Sequence, residues 1–299
     1  MTDKSILDHL FQLYFAWVHP IHTLFSEARF ADSYIRKSEI YCSSVLVDSV
    51  YALACCLHTA VDREEGIYKR LAFAVMHLVD CAHGKALRAA AYLKVATSNL
   101  PRAAYQEVDG FVESWKATFS GIRNLNIEWA QMTFQPPPIL ESAVYNSTEE
   151  VDDILDNKNW YPYRFSEEQP ETLRSLLATT NREKSKLNAI LQDITMIVYS
   201  QRGLSISARQ FLFQYGRLRA WREQVPDVLS SFEDGNEKVL PHVIYLLVYH
   251  STAIVQLLRP LLDLDGFPSS LVDGAIWEHA QEGLRLLENY YQPQYTFRY

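Results

Sequence analysis

Residues 241–260, PHVIYLLVYHSTAIVQLLRP, hold no Asp, Glu, Lys or Arg between His242 and Arg259. This run constrains the fold more than any other part of the chain. Leu246, Leu247, His250, Ile254 and Leu257 or Leu258 recur at three-and-four spacing, the period of an α-helix. Pro241 suits a first helical turn, where its missing N–H is not needed, and Pro260 marks the stop. The uncharged run is too short to cross a bilayer and carries His, Tyr, Ser, Thr and Gln, so no membrane association is expected. A helix that is apolar nearly all round belongs inside a core. The run is therefore expected to be the central buried helix of an all-α domain.

A second stripe runs along the same helix. His242, Tyr245, Tyr249, Thr252, Gln256 and Arg259 are spaced 3, 4, 3, 4, 3 and share one face. Such a face forms a polar seam against another helix or solvent. Alternatively it forms a cavity wall, an apolar body with a few oriented hydroxyl and imidazole groups.

The rest of the chain follows the helical period. Thr2 or Asp3 can cap a first helix through about Val18, ended by His19-Pro20. Further helices are expected from Ser43 or Ser44 to about His58, from Ile67 to His83 with Gly84 as its stop, and from Lys85 to Thr97. A longer one runs from Ala103 to about Thr133. Gly110 and Gly121 sit inside it, at about 1 kcal/mol each relative to Ala, which predicts close packing against a neighbour. Residues 139–170 carry Asn, Ser, Glu, Asp and Pro and read as an acidic surface linker. Helices then span Glu171 to Gln201, Ser207 to Gln224 and Ser270 to Tyr291. Alternating β-branched runs with hairpin turns are absent. The expectation is one all-α domain over residues 1–299, a bundle of stacked antiparallel helix pairs around the helix at about 241–260.

Several chemistries are excluded. A net charge of −8 argues against a broad phosphate-binding surface, and direct nucleic-acid binding is not expected, although Arg202, Arg209, Arg217, Arg219 and Arg222 sit close together as a local basic patch. Four cysteines, Cys42, Cys55, Cys56 and Cys81, include no CxxC pair, so neither a zinc framework nor a disulfide framework is read here. No GxGxxG, GxxxxGK, GxSxG or HExxH occurs. No metal and no cofactor are expected. Asp152, Asp153 and Asp156 form a literal DDxxD, but in an acidic stretch after Glu149-Glu150, where a solvated loop is the plainer reading. Asp80, His83, Lys85 and Arg88 read as a capped and salt-bridged helix junction. Most of the aromatic residues, among them Tyr14, Tyr92 and Trp277, are expected in the core. The acidic N-terminal segment is unlike a secretory signal, so the location expected is intracellular, cytoplasmic or nuclear.

Several segments together resemble the middle regulatory region of fungal zinc-cluster transcription factors. His19-Pro20 with Phe25 looks like that family's opening "HP…F" turn. Tyr41-Cys42-Ser43 and Leu46-Val47 resemble its "YCSPLLV" helix start. Residues 117–139 are similar to its "FW-G…LDR-WS…GRPP-I" segment, with Asn124-Leu125-Asn126 in place of Leu-Asp-Arg. Trp160-Tyr161-Pro162-Tyr163 matches the end of its acidic linker. Leu218, Trp221, Val225-Pro226 and Leu229 look like its "LxxWxxxLPxxL" motif. His242, Tyr245, Tyr249-His250 and Leu257-Leu258-Arg259-Pro260 match its "HxxYHxxxILLxRP" helix. The family's six-cysteine zinc cluster has no counterpart in this sequence.

The resemblance implies a transcription-factor-like regulatory module without DNA reading, which binds an apolar small molecule or pairs with a zinc-cluster factor. The alternative is a natural-product enzyme. A metal-free cyclase, for example a cycloaddition catalyst, needs a shaped cavity and one or two donors rather than a nucleophile. Tyr249, His250 and Tyr245 are the catalytic candidates. His242, Thr252, Trp17, His22, Tyr51, His77 and Tyr199 are the ligand-binding candidates.

Overall fold

A computed structural model of the chain describes residues 3–57, 73–98, 111–137, 153–162, 172–200, 207–230, 238–263 and 267–291. Those residues hold eleven α-helices and one two-stranded ribbon, an all-α fold. Helix α1 (Asp3–Leu13) runs on into a π-turn, Tyr14–Val18. The His19-Pro20 turn follows and is tightened where Thr23 Oγ1 donates to the His19 carbonyl at 2.9 Å. Helix α2 (Glu27–Arg36) was not anticipated. Its capping residue is Ser26, and it buries only Phe30 and Ser33, the rest of its surface being polar or exposed. Helix α3 (Ser44–Leu57) is capped by Ser43, whose Oγ accepts from the Leu46 N–H at 3.2 Å.

Helices α4 (Phe73–Ala82) and α5 (Ala86–Ser98) form the expected hairpin, turned at Gly84 with φ +67°. Arg88 Nε meets Asp80 Oδ2 at 3.1 Å across that turn, and His83 Nδ1 donates to the Val79 carbonyl. The expected helix start at Ile67, and His58 before it, lie outside the described residues. Helix α6 (Phe111–Thr133) is described from Phe111, so Gly110 also lies outside. Gly121 is a point of close approach. A Cβ there would lie 2.7 Å from the Thr23 carbonyl oxygen and 2.8 Å from Leu24 Cδ2.

The stretch read as a linker is folded wherever the structure describes it. Helix α7 (Asp153–Asn157) leads to β1 (Asn159–Trp160), which pairs antiparallel with β2 (Leu173–Arg174). Trp160 is buried, packs edge-on against Trp17, and donates its Nε1–H to the Ala16 carbonyl at 2.9 Å. Helix α8 (Leu177–Ser200) starts later than Glu171 because β2 takes up residues 173–174. Asp156 corrects the solvated-loop reading of the DDxxD. It is buried, and its Oδ1 accepts from the Thr179 backbone N–H at 3.0 Å while Oδ2 accepts from the Thr179 hydroxyl. A carboxylate at a helix N-terminus satisfies an orphan donor and opposes the positive end of the helix dipole.

Helix α9 (Ala208–Glu223) opens with a Ser207/Gln210 capping box. Helix α10 (Pro241–Leu258) is the central helix, with Pro241 in its first turn. It packs against α8, α9 and the last helix, α11 (Ser269–Leu286). Val243, Ile244, Leu246, Leu247, Ile254, Leu257 and Leu258 are all buried. Each such side chain contributes about 1.5–3 kcal/mol relative to exposure. By length and apolarity, residues 241–261 could span a bilayer, but most of that surface is buried against neighbouring helices. Gly283 of α11 faces Ser251 of α10, where an added Cβ would lie at an ordinary 3.5 Å. A π-turn, Leu287–Tyr291, ends the described chain.

Candidate functional site

Four elements converge on one buried polar centre: the turn after Pro20, α6, α8 and α10. Glu128 on α6 is the lone charge in an apolar stretch and is 2% exposed. Lys184 on α8, also buried, brings Nζ to 2.6 Å from Glu128 Oε1. The same ammonium donates to the Ile21 carbonyl at 2.7 Å and stands 5.1 Å from the centre of the Tyr245 ring. Tyr245 hydrogen-bonds Glu128 through its hydroxyl. His22 lies edge-on to the Tyr245 ring, with Nδ1 3.4 Å from Glu128 Oε2.

The electrostatics follow from burial. Desolvation alone would raise the Glu128 carboxyl, but Lys184, His22 and the Tyr245 hydroxyl outweigh it and hold its pKa below the usual value. His22 is pushed down to about 4 by burial, against the pull of Glu128, so it is neutral at pH 7. Burial, and then the charge of Glu128, raise the hydroxyls of Tyr245 and Tyr249 well above 10. Tyr245 and Tyr249 stack one turn apart, and Tyr249 donates to Asn188 Oδ1 at 3.2 Å. Asn188 Nδ2 is buried and has no partner among the described residues. Asn181 on α8 donates to Thr23 Oγ1 at 3.2 Å, which fastens the turn a second time.

The arrangement is a charge-neutral ion pair ringed by phenols, an imidazole and an amide. It clamps the N-terminal turn to helices far along the chain. Among the described residues, no group of three or more His, Cys, Asp or Glu could hold a metal.

Of the residues singled out from the sequence, the centre gathers His22, Tyr245 and Tyr249. His77 adjoins it. It is buried on α4, edge-on to Trp129 beside Glu128, with Nδ1 2.9 Å from the Ala89 carbonyl. His242 and His250 have other partners. His242 Nε2 donates to the Ser175 carbonyl at 2.8 Å, below the start of α8. His250 Nε2 donates to the Leu218 carbonyl at 2.9 Å, and its ring lies against Trp221. Burial lowers both imidazoles to about 4.

Trp17 packs on Trp160. Tyr51 meets Phe11 and the hydroxyl of Tyr34 near α2. Tyr199 is half-buried near the end of α8, and Thr252 is exposed. The polar stripe of α10 is thus buried in its first two turns and open to solvent at Thr252 and Arg259.

Sequence reasoning missed Glu128 and Lys184. Glu128 had one usable signal, a carboxylate flanked by Ile127, Trp129 and Ala130. Lys184 sits among Arg182, Glu183 and Lys186 and had none.

No family model matches the chain, and no solved structure matches it. Two fungal proteins are similar in sequence. One is the nitrogen assimilation transcription factor nit-4 of Neurospora crassa, 24% identical over 87% of this chain and 28% of its own length. The other is the nitrogen assimilation transcription factor nirA of Emericella nidulans, 22% identical over 87% of this chain and 34% of its own length. The chain spans about a third of the length of these relatives. The resemblance to fungal transcription factors read from the motifs is therefore matched by similarity along most of the chain.

Proposed function

We propose that this chain is a transcription-factor-like regulatory module, acting in the nucleus, which takes up a signal from an apolar metabolite or a partner factor and does not itself read DNA. The observation that carries this reading is similarity to two transcription factors over 87% of the chain. A net charge of −8 supports the second half, since nucleic-acid affinity comes largely from cations that neutralise phosphates. The buried centre supports the first. Glu128–Lys184 joins the N-terminal turn to α6, α8 and α10, so a ligand or partner that shifted one of these elements would be felt by the other three. Tyr245, Tyr249 and His250 already donate to Glu128, Asn188 and the Leu218 carbonyl. No observation favours the cyclase alternative for them.

The relatives' names make nitrogen status the first signal to test. The chain is fused to an unrelated sequence-specific DNA-binding module in a fungal host, and a reporter is read on two nitrogen sources. The expected result is output several-fold different between sources and dependent on the fused chain. Output equal to that of the DNA-binding module alone, on both sources, overturns the proposal.

A further inference from the structure

Gly216 stands at the middle of α9 with open space beside it, since a Cβ added there would meet nothing within 4 Å. A glycine inside a helix weakens it relative to alanine, and no packing among the described residues asks for one here. At about 100° per residue, Arg209 and Glu223 lie within about 20° of Gly216 round the helix, one on either side. Leu212 and Ala220 lie within about 40°, and Phe213 and Arg219 within about 60°, again one on either side. Leu212 is 46% exposed and Phe213 65%, and Arg209, Gly216, Arg219 and Glu223 are exposed too. The opposite face, with Gln214, Leu218 and Trp221, is buried. There Trp221 donates to the Glu183 carbonyl of α8, and the Leu218 carbonyl accepts from His250 of α10. Helix α9 thus turns outward an apolar patch with a cation near one end and an anion near the other, both close to its centre line.

We infer that two copies of the chain pair through this face, α9 against α9, antiparallel, about a two-fold axis at Gly216. An isologous interface needs a pattern complementary to itself. Positions equidistant from the axis face one another, so Arg209 meets the partner's Glu223, and Glu223 meets the partner's Arg209. Phe213 lies over the partner's Ala220, a large side chain against a small one. Leu212 lies along the aliphatic stem of the partner's Arg219. Within each copy Arg219 reaches Glu223 on its own helix at 3.7 Å. Gly216 meets its own counterpart on the axis, where the missing side chains let the two backbones approach closely. A parallel pairing would instead set Arg209 against Arg209 and Glu223 against Glu223. About four turns of helix cover less than the roughly 800 Å² per partner of a standard interface. The pairing is therefore reversible and concentration dependent.

Sedimentation velocity of the full chain over a dilution series tests this. The unsubstituted chain shows a monomer–dimer equilibrium. Gly216→Glu sets two carboxylates against each other on the axis, and that variant stays monomeric at the same concentrations. Arg209→Glu and Glu223→Arg each weaken association roughly 2- to 30-fold, the range for two exposed ion pairs. The double variant, Arg209→Glu with Glu223→Arg, recovers most of that loss. Circular dichroism and thermal melts check that each variant folds. Glutamate is a better helix former than glycine, so Gly216→Glu leaves the fold no less stable. A chain that is monomeric at every concentration overturns the inference, as does a dimer that Gly216→Glu leaves intact. Single charge variants that associate as tightly as the unsubstituted chain, or a double variant that recovers nothing, overturn the antiparallel pairing.

Discussion

Helices α10 and α11 are consecutive, eighteen residues each, and packed on one another, yet they distribute apolar side chains in opposite ways. Helix α10 has no charged residue, and thirteen of its residues are buried. Helix α11 contains Asp273, Glu278, Glu282 and Arg285 and buries three. In α10 the absence of charge leaves Thr252 as its one exposed residue, and its apolar residues are interior or half-buried. In α11 the charges keep an outer face wet, and Trp277 and Leu284 share that face with them. Apolar content alone therefore did not separate a core helix from a helix that is half surface; the placement of charge did.

The comparison can be broken at its inner edge first. Glu128→Leu leaves the buried Lys184 ammonium without its counter-charge beside Tyr245 of α10. Urea unfolding should report a loss of about 3–5 kcal/mol. Adding Lys184→Met should recover much of that, because an apolar pair of similar size costs little in such a site. Little loss for Glu128→Leu alone would mean that water reaches the centre.

Truncation comes next. Leu246→Ala in α10 should cost about 2–5 kcal/mol. Leu284→Ala in α11 should stay within about 0.5 kcal/mol, as for a surface substitution. Similar losses at both positions would erase the distinction between the helices.

A third probe is pH. His242 and His250 on α10, and His22 facing it, are held near pKa 4 by burial. The unfolded chain takes up these protons near 6.5. Stability is therefore full above about pH 6.5 and falls as pH drops toward 4, because the unfolded state binds protons first. The urea midpoint should decline across that window, and His242→Gln should flatten part of the decline. A midpoint level from pH 7 to 5 would contradict the burial of these rings.

The smallest effect concerns Gly283 and Gly121. A Cβ at Gly283 meets Ser251 at an ordinary 3.5 Å, whereas at Gly121 it meets the Thr23 carbonyl oxygen at 2.7 Å. Gly283→Ala should therefore be neutral or slightly stabilising, and Gly121→Ala should cost about 1–3 kcal/mol from overpacking. Thermal melts of the two variants distinguish them.

These contrasts show what the sequence could carry. The central helix was legible because a run without charge, bracketed by prolines, has few other uses. The Gly84 and Ser207 boundaries were legible because caps are local. Helix α2 was not read, although its apolar and charged residues do segregate at the helical period, because the segment is only ten residues long and carries Glu27, Arg29, Asp32 and Arg36. Asp156 looked like one more solvated acid because the N–H it caps, Thr179, is 23 residues away. Trp277 was assigned to the core because periodicity reveals that a helix has faces but not how many are covered. The polar centre was half legible. The tyrosines and His22 announced themselves, while Glu128 and Lys184 acquire meaning only when α6 and α8 are side by side.

The bond from Lys184 to the Ile21 carbonyl joins residues 163 positions apart. On a ribosome, the opening turn leaves the exit tunnel long before its anchor has been translated. Until the middle of α8 emerges, the Ile21 carbonyl lacks its Lys184 partner, while Phe15, Phe25 and Phe30 already have one another. The turn is therefore fastened in its final place only after more than half of the chain has been made.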